Sequence, residues 1–262
     1  MSQELLREVK GGVATITINR PAQRNAVTYE MWQQLAALMA KLKASHEVRV
    51  VILRGAGTQA FSAGADIAEF EETRRNSALA IKYHAAVEEA LGDVANLPKP
   101  TIAMVAGFCV GGGLELAIST DLRIAADNSR FGMPTAKLGI VMPHWEMSRL
   151  VRLVGPGPAM DMVLTARLVE ADEALRIGLI SRLVPLAEIE RVTNQVAAEI
   201  AAYAPLSHRW HKEIMETVLR MPDLGGLTAE EAKLPFACFD TDDFQEGRRA
   251  FLEKRKPEFR GR

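Results

Sequence analysis

Residues 101–114 carry no charge, and the run closes on Gly111-Gly112-Gly113-Leu114-Glu115. Pro98 and Pro100 precede it and set off Thr101–Val105 as a strand. Leu114, Leu116, Ala117 and Ile118 then open a helix, so residues 107–113 form the turn where strand hands over to helix. Free amides at a helix N-terminus make a pocket for an anion or an oxyanion. Glycines at such a junction also let a helix lie close against a sheet, and the residues alone leave both readings open. No Lys-Ser/Thr pair follows, so this is no P-loop, and it is not a Gly-x-Gly-x-x-Gly turn after a first strand. Ended by Glu115, the run is also too short to span a bilayer.

Glu115 lies between Leu114 and Leu116 in an otherwise apolar segment. Burying an unpaired carboxylate costs on the order of several kcal/mol. Glu115 must therefore be neutral, paired, or turned into a polar cavity. A raised pKa would suit acid–base work near neutrality. Pairing with Arg20 or Arg123 is the purely structural alternative.

Around this segment, strands and helices alternate. Residues 8–19 read as a hairpin-like start around Gly11-Gly12, broken at Asn19-Arg20-Pro21. Thr28 caps a helix over Tyr29–Ala44, where Met31, Leu35, Leu38, Met39 and Leu42 recur at helical spacing. Residues 48–53 are a short β-branched core strand. Residues 61–66 form a small-residue loop, residues 76–91 a helix, and Leu122–Ala126 another strand. This is the spacing of βα crossovers. Helical character takes over after Pro156-Gly157-Pro158, over residues 159–164, 171–177, 186–202 and 206–219. Thr228 caps a short helix, and Asp242 opens another ending near Lys254. No fixed-period repeat is present.

Lys and Arg number 32 against 33 Asp and Glu, a net charge of -1, which gives no reason to expect a nucleic-acid partner. Cys109 and Cys238 make no disulfide framework, and Cys109 reads as a small core hydrophobe. Residues 1–10 hold no apolar stretch of signal-peptide length. His46, His84, His208 and His211 show no metal-ligand spacing, and no serine sits in a Gly-x-Ser-x-Gly elbow. A cytoplasmic protein with no metal, nucleic acid or membrane as partner is the expectation.

Two further segments bear on chemistry. In Phe61-Ser62-Ala63-Gly64-Ala65-Asp66 the glycine permits close backbone approach, with amides near Ala65 pointing inward; a plain tight loop is the alternative. His144-Trp145-Glu146 combines a base, a flat apolar wall and a carboxylate, although Glu146 equally suits the first turn of a helix running through Met147 and Leu150.

Taken together, these segments resemble the crotonase superfamily, the enoyl-CoA hydratase/isomerase family. The resemblance rests on Asn19-Arg20-Pro21 with Asn25-Ala26, residues 61–67, residues 107–117, Gly132-Met133-Pro134, Lys137-Leu138-Gly139, and Glu246-Gly247 with residues 250–257, in that order over essentially the whole chain. It implies an α/β spiral of repeated ββα units over residues 1–195. Residues 196–262 would form a helical C-terminal region for trimerisation and for covering CoA, in a trimer or a dimer of trimers. It further implies an acyl-CoA thioester substrate, with CoA present only as part of that substrate. The oxyanion-hole amides fall on Ala65 and Gly112, and the acid–base glutamate on Glu115. CoA would be met by Arg20, Ala63, Asp66, Ile67, Phe251 and Lys254. The acyl pocket draws on Phe70, Ile81, His84, Val110, Leu138, Trp145 and Phe236, with Trp145 narrowing or flattening it toward short or aromatic acyl groups.

The chain departs from the family's hydratases at one point. Their second glutamate should follow Gly132-Met133-Pro134, and Thr135 stands there. Threonine can hold a water but cannot act as a carboxylic acid. His144 and Glu146 are the candidate auxiliaries. Pro143 occupies the position of a family dehalogenase's nucleophilic aspartate, which disfavours that chemistry. Hydration of an enoyl-CoA leads; isomerisation, decarboxylation or C–C cleavage, and acyl-CoA binding without catalysis remain open.

Overall fold

A computed structural model describes residues 4–262. The first three residues of the expected core and of the expected leader-free N-terminus lie outside the described residues. The strands are β1 (Leu5–Lys10), β2 (Val13–Ile18), β3 (Val50–Gly55), β4 (Ala60–Ser62), β5 (Thr101–Val105), β6 (Phe108–Val110), β7 (Leu122–Ala126), β8 (Arg130–Gly132), β9 (Leu168–Glu170) and β10 (Arg182–Val184). They form a six-stranded sheet, ordered β1-β2-β3-β5-β7-β10, and a four-stranded sheet, ordered β4-β6-β8-β9. The helices are α1 (Tyr29–Ala44), α2 (Phe70–Thr73), α3 (Ser77–Ala95), α4 (Gly112–Ile118), α5 (His144–Val154), α6 (Pro156–Thr165), α7 (Ala171–Arg176), α8 (Ile189–Ala201), α9 (Pro205–Arg220), α10 (Ala229–Lys233) and α11 (Asp242–Glu253).

β1 and β2 are the antiparallel hairpin expected around Gly11-Gly12. From β2 onward the larger sheet is parallel. The pairs β3/β4, β5/β6 and β7/β8 each give one strand to the larger sheet and the next to the smaller one, and helical structure follows each pair. The chain thus winds as a spiral of ββα units. Thr28 caps α1 by accepting from the Met31 amide at 3.2 Å, and Asn76 caps α3 by accepting from Leu79 at 3.0 Å.

The larger sheet is buried on both faces. Val51, Leu53, Ala103, Val105 and Ala125 point into the main core. Their neighbours Val50, Ile52, Ile102, Met104, Ile124 and Ala126 point the other way, under Ile189, Val196, Ala197 and Ala201 of α8. Two-sided burial explains why these strands read as unbroken apolar runs. It also corrects the expected division between residues 195 and 196. That point falls in mid-helix, on a face packed against the sheet. Among the described residues no helix is long and apolar enough to cross a membrane.

The spiral brings α4 against β4 with no side chain between them. A Cβ added to Gly113 would sit 2.5 Å from the Ser62 carbonyl oxygen and 2.8 Å from the Ser62 Cβ. Ser62 is itself fully buried, so neither partner can give way cheaply. We expect Gly113→Ala to lower unfolding free energy by about 1–3 kcal/mol, the usual cost of overpacking, measured by urea denaturation. Wild-type stability in that variant would contradict the close approach.

Candidate active site

The turn that leads from β3 into β4 is held by Asn25, which is buried in a left-handed conformation with φ 57°. Its side-chain amide donates to the carbonyls of Ala56 at 3.0 Å and Ala60 at 2.7 Å. Its Oδ1 accepts from the Arg20 amide at 3.1 Å. Further along, Val27 forms a parallel bridge to Ala65, donating to Gly64 O at 2.8 Å and accepting from Asp66 N at 3.0 Å. Successive peptide groups of an extended chain point to opposite edges. Gly64 O and Asp66 N therefore face Val27, and the Ala65 N–H faces the other way.

That other way leads to the start of α4, where Gly112 N belongs to the first turn, whose amides have no partner inside the helix. A Cβ built on Gly112 would lie 3.6 Å from Ala65 N, and one on Gly64 would lie 3.2 Å from Gly112 N and 2.9 Å from Val110 O. The two amides thus stand side by side. Gly64 also has φ +94°, so glycine is required there twice over, by conformation and by space. Among the described residues neither the Ala65 nor the Gly112 amide donates to another backbone group.

Both donors line a cavity of about 310 Å³, together with Glu115. Of the residues singled out from sequence, Ala63, Ala65, Ile67, Phe70, His84, Gly112, Glu115, Thr135 and Leu138 stand around it. Trp32, Arg74, Tyr83 and Val87 complete its inner wall, and sequence reasoning missed them. Trp32 Nε1 donates to Tyr83 Oη at 2.9 Å. The Arg74 guanidinium lies 3.7 Å from the Tyr83 ring centre and 4.6 Å from that of Phe70.

Glu115 takes neither of its structural alternatives. Arg123 donates to the carbonyls of Leu179 and Thr120, each at 2.7 Å. Arg20 pairs with Asp66 at 2.8 Å and Glu4 at 3.0 Å. Burial first, and then the Glu146 charge, push the Glu115 carboxyl from the ordinary 4.5 up to about 7, against a smaller downward pull from Arg74. A carboxyl with this pKa supplies both acid and base forms near neutrality. Cys109 is a core residue, fully buried, with its thiol pushed up by burial and its Sγ donating to Gly113 O at 3.5 Å.

Several expectations need correction. Trp145 does not wall this cavity; it faces a separate one beside Arg149, whose guanidinium sits 5.1 Å from its ring centre. The aromatic wall comes instead from Trp32, Phe70 and Tyr83. His144, at the start of α5, points to solvent. Ile81 is 70% exposed on the outer side of α3, and Phe236 is 65% exposed in the C-terminal region. Val110 lies beneath the loop, against Gly64 and Gly132, rather than on the cavity surface. Glu146 is fully buried behind the wall. Phe251, 83% exposed, and Lys254, at the left-handed end of α11, stand apart from this chain's cavity, and the contact expected of them is with the CoA of a neighbouring subunit.

The enoyl-CoA hydratase/isomerase family profile matches residues 8–262. The chain is 38% identical to the short-chain-enoyl-CoA hydratase of Clostridium acetobutylicum, over 97% of this chain and 96% of that one. It is 36% identical to the crotonyl-CoA hydratase of Syntrophomonas wolfei, over 98% of each. Among solved structures, an enoyl-CoA hydratase/carnithine racemase from Magnetospirillum magneticum superposes with a TM-score of 0.95 at 38% identity, over 100% of this chain and 97% of that one.

The raised Glu115 pKa carries a stability prediction. Below pH 4.5 the carboxyl is protonated in both folded and unfolded chains. As pH rises from 4.5 to about 7 the unfolded chain releases this proton while the folded chain keeps it, so stability falls across that window. Glu115→Gln should therefore be more stable than wild type at pH 8, with the gap closing toward pH 4. Thermal melts of both proteins across that range check it. A gap independent of pH would contradict the assignment.

Proposed function

The chain belongs to the enoyl-CoA hydratase/isomerase family, and from that premise we propose that it adds water across the double bond of a short 2-enoyl-CoA thioester. The reading is carried by the side-by-side amides of Ala65 and Gly112 on a cavity that also holds Glu115. The thioester carbonyl accepts from both amides. As water oxygen bonds to Cβ, negative charge moves onto that carbonyl oxygen, where two preoriented donors in a confined site stabilise it most. Glu115 accepts a proton from the attacking water, a proton is added at Cα, and the product is a 3-hydroxyacyl-CoA. Thr135, on the cavity wall, offers a hydroxyl to hold the water.

Support for a short acyl group comes from the modest cavity and its aromatic wall, and from relatives named for short-chain and crotonyl substrates. CoA enters as part of the substrate, and no permanently bound cofactor is implied. Ala63 and Ile67 lie toward its entry, next to Asp66, which Arg20 braces. Phe251 and Lys254 would reach the CoA of a neighbouring subunit. An oligomer, a trimer or a dimer of trimers, is supported by surface area. The chain exposes 14056 Å², against about 11,000 Å² for a compact monomer of this mass. Exposed Met215, Phe236, Phe239, Phe251 and Leu252 in its C-terminal region make up part of the excess. Double-bond migration with Glu115 as the proton shuttle is the second reading, and the carboxylate missing at Thr135 weakens it.

Two experiments test this. In water enriched in ¹⁸O, purified protein should convert crotonyl-CoA to a product heavier by one labelled water, read by mass spectrometry, with Glu115→Gln lowering kcat by about 10²–10⁴-fold, the usual worth of a positioned acid–base group. An isomeric product of unchanged mass would favour migration; no change with any short enoyl-CoA would overturn both. Light scattering should return a mass three or six times the 28.7 kDa chain, and a monomer would contradict the neighbouring-subunit role of α11.

A further inference from the structure

One carboxylate in this molecule lacks any satisfactory partner. Glu146, in the first turn of α5, has 0% exposure, and neither carboxylate oxygen makes a hydrogen bond among the described residues. A buried, unpaired carboxylate is among the most costly groups a fold can contain. Its nearest cationic partner is His84 of α3, whose Nδ1 lies 3.8 Å from Glu146 Oε1. The His84 ring lines the same cavity as Glu115. Glu146 thus stands directly behind a cavity-facing imidazole, on the wall of a site whose expected second carboxylate is replaced by Thr135.

We propose that His84, oriented by Glu146, is the second proton-transfer group of this site; the inference rests on the hydration reading above. Glu146 is a positioning residue and does not touch substrate. A shift of about 1 Å would turn the His84–Glu146 contact into a hydrogen bond. That bond places a proton on Nδ1 and leaves Nε2 to exchange its proton with the substrate. The steps balance. Glu115 takes one proton from water as the oxygen bonds to Cβ. His84 imidazolium gives its Nε2 proton to Cα as the enolate collapses. The proton held by Glu115 then returns to His84 through solvent, so one water is added and both groups are restored. Other charges facing the imidazole are Glu88, one turn along α3 with Oε2 3.8 Å from Nε2, and the cavity groups Glu115 and Arg74. Burial holds the Glu146 carboxyl above its ordinary range, opposed first by its own backbone amide and then by the His84 charge, with the Glu88 charge adding to the rise. The same Glu146 charge raises Glu115, so the three groups are electrostatically linked.

The test uses His84→Gln, Glu146→Gln and, as a control on the exposed face of α3, Glu89→Gln. With crotonyl-CoA, His84→Gln should lower kcat at least 100-fold, with KM changed less than 3-fold, and remove one limb of the pH–rate profile. Glu146→Gln should lower kcat about 10-fold and displace that same limb, while its melting temperature equals or exceeds that of wild type, because a buried charge has been removed. Glu89→Gln should stay within 2-fold. A second readout needs no turnover. Nitrogen NMR of histidine-labelled protein should show His84 protonated on Nδ1, and this preference should be lost in Glu146→Leu, which offers no acceptor. A wild-type protein that hydrates crotonyl-CoA while His84→Gln keeps its rate and pH profile would overturn this proposal and leave the hydratase reading standing. An unchanged His84 tautomer in Glu146→Leu would overturn it whether or not the protein turns over.

Discussion

The contact on which the rest of the site depends is a bare backbone approach: the start of α4 lies on β4 with Gly113 over Ser62 and nothing between. Everything catalytic hangs from that junction. It sets the first turn of α4, whose amides have no partners inside the helix, beside a loop whose Gly64 carbonyl and Asp66 amide are already committed to Val27. The Ala65 and Gly112 N–H groups are left over by the arithmetic of two different elements, a parallel bridge and a helix N-terminus. Neither element alone produces a pair of donors. Their meeting does, and it presents two donors to one point without reorganisation when charge arrives.

The same junction sets the chemistry of Glu115. Four positions into α4, its side chain turns back toward the N-terminal turn, as helical side chains do. The small cavity deprives it of water, and Glu146 adds a second negative charge from behind. A group that would ordinarily be a fully ionised surface carboxylate becomes one that exchanges protons near neutrality. The fold bears the resulting instability because the carboxyl faces a cavity rather than solid core. Glu146 has no such outlet, and His84 is the partner at hand. Thr135 brings no carboxylate to the proposed site, and Glu115, Glu146 and His84 are linked there through Glu146, whose charge acts on Glu115 and is acted on by His84.

Much of this was legible before any coordinates. α1, β5 and β7 match their sequence-derived bounds because their signals are local: a threonine cap with a periodic apolar stripe, or a short apolar run between breakers. The paired loops were legible as motifs, and Glu115 as a carboxylate in an apolar setting. The smaller sheet was not. Its strands β4, β6, β8 and β9 have three residues each, too few for any periodicity to register. Trp145 was misplaced because neighbours in sequence on a helix point about 100° apart and so meet different surroundings. Glu146 turns inward behind the wall, and Trp145 turns toward Arg149. Arg74 and Tyr83 carried no signal, since their stacking depends on how α2 and α3 fold back on each other. The expected boundary at residue 195 failed for a related reason: the outer face of the larger sheet needs a cover, and α8 supplies it from within the helical half.

The proposed function requires the thioester carbonyl to lie between the Ala65 and Gly112 amides. The most direct measurement is isotope-edited infrared difference spectroscopy of a ¹³C-carbonyl crotonyl-CoA bound to Glu115→Gln, in which turnover is slow. Two strong hydrogen bonds polarise the carbonyl, so its stretching band should move to lower frequency and narrow relative to the free thioester in water. A bound ligand whose carbonyl band stays at the position seen in water would mean that these amides do not hold it, and the assignment of the site would fall with them.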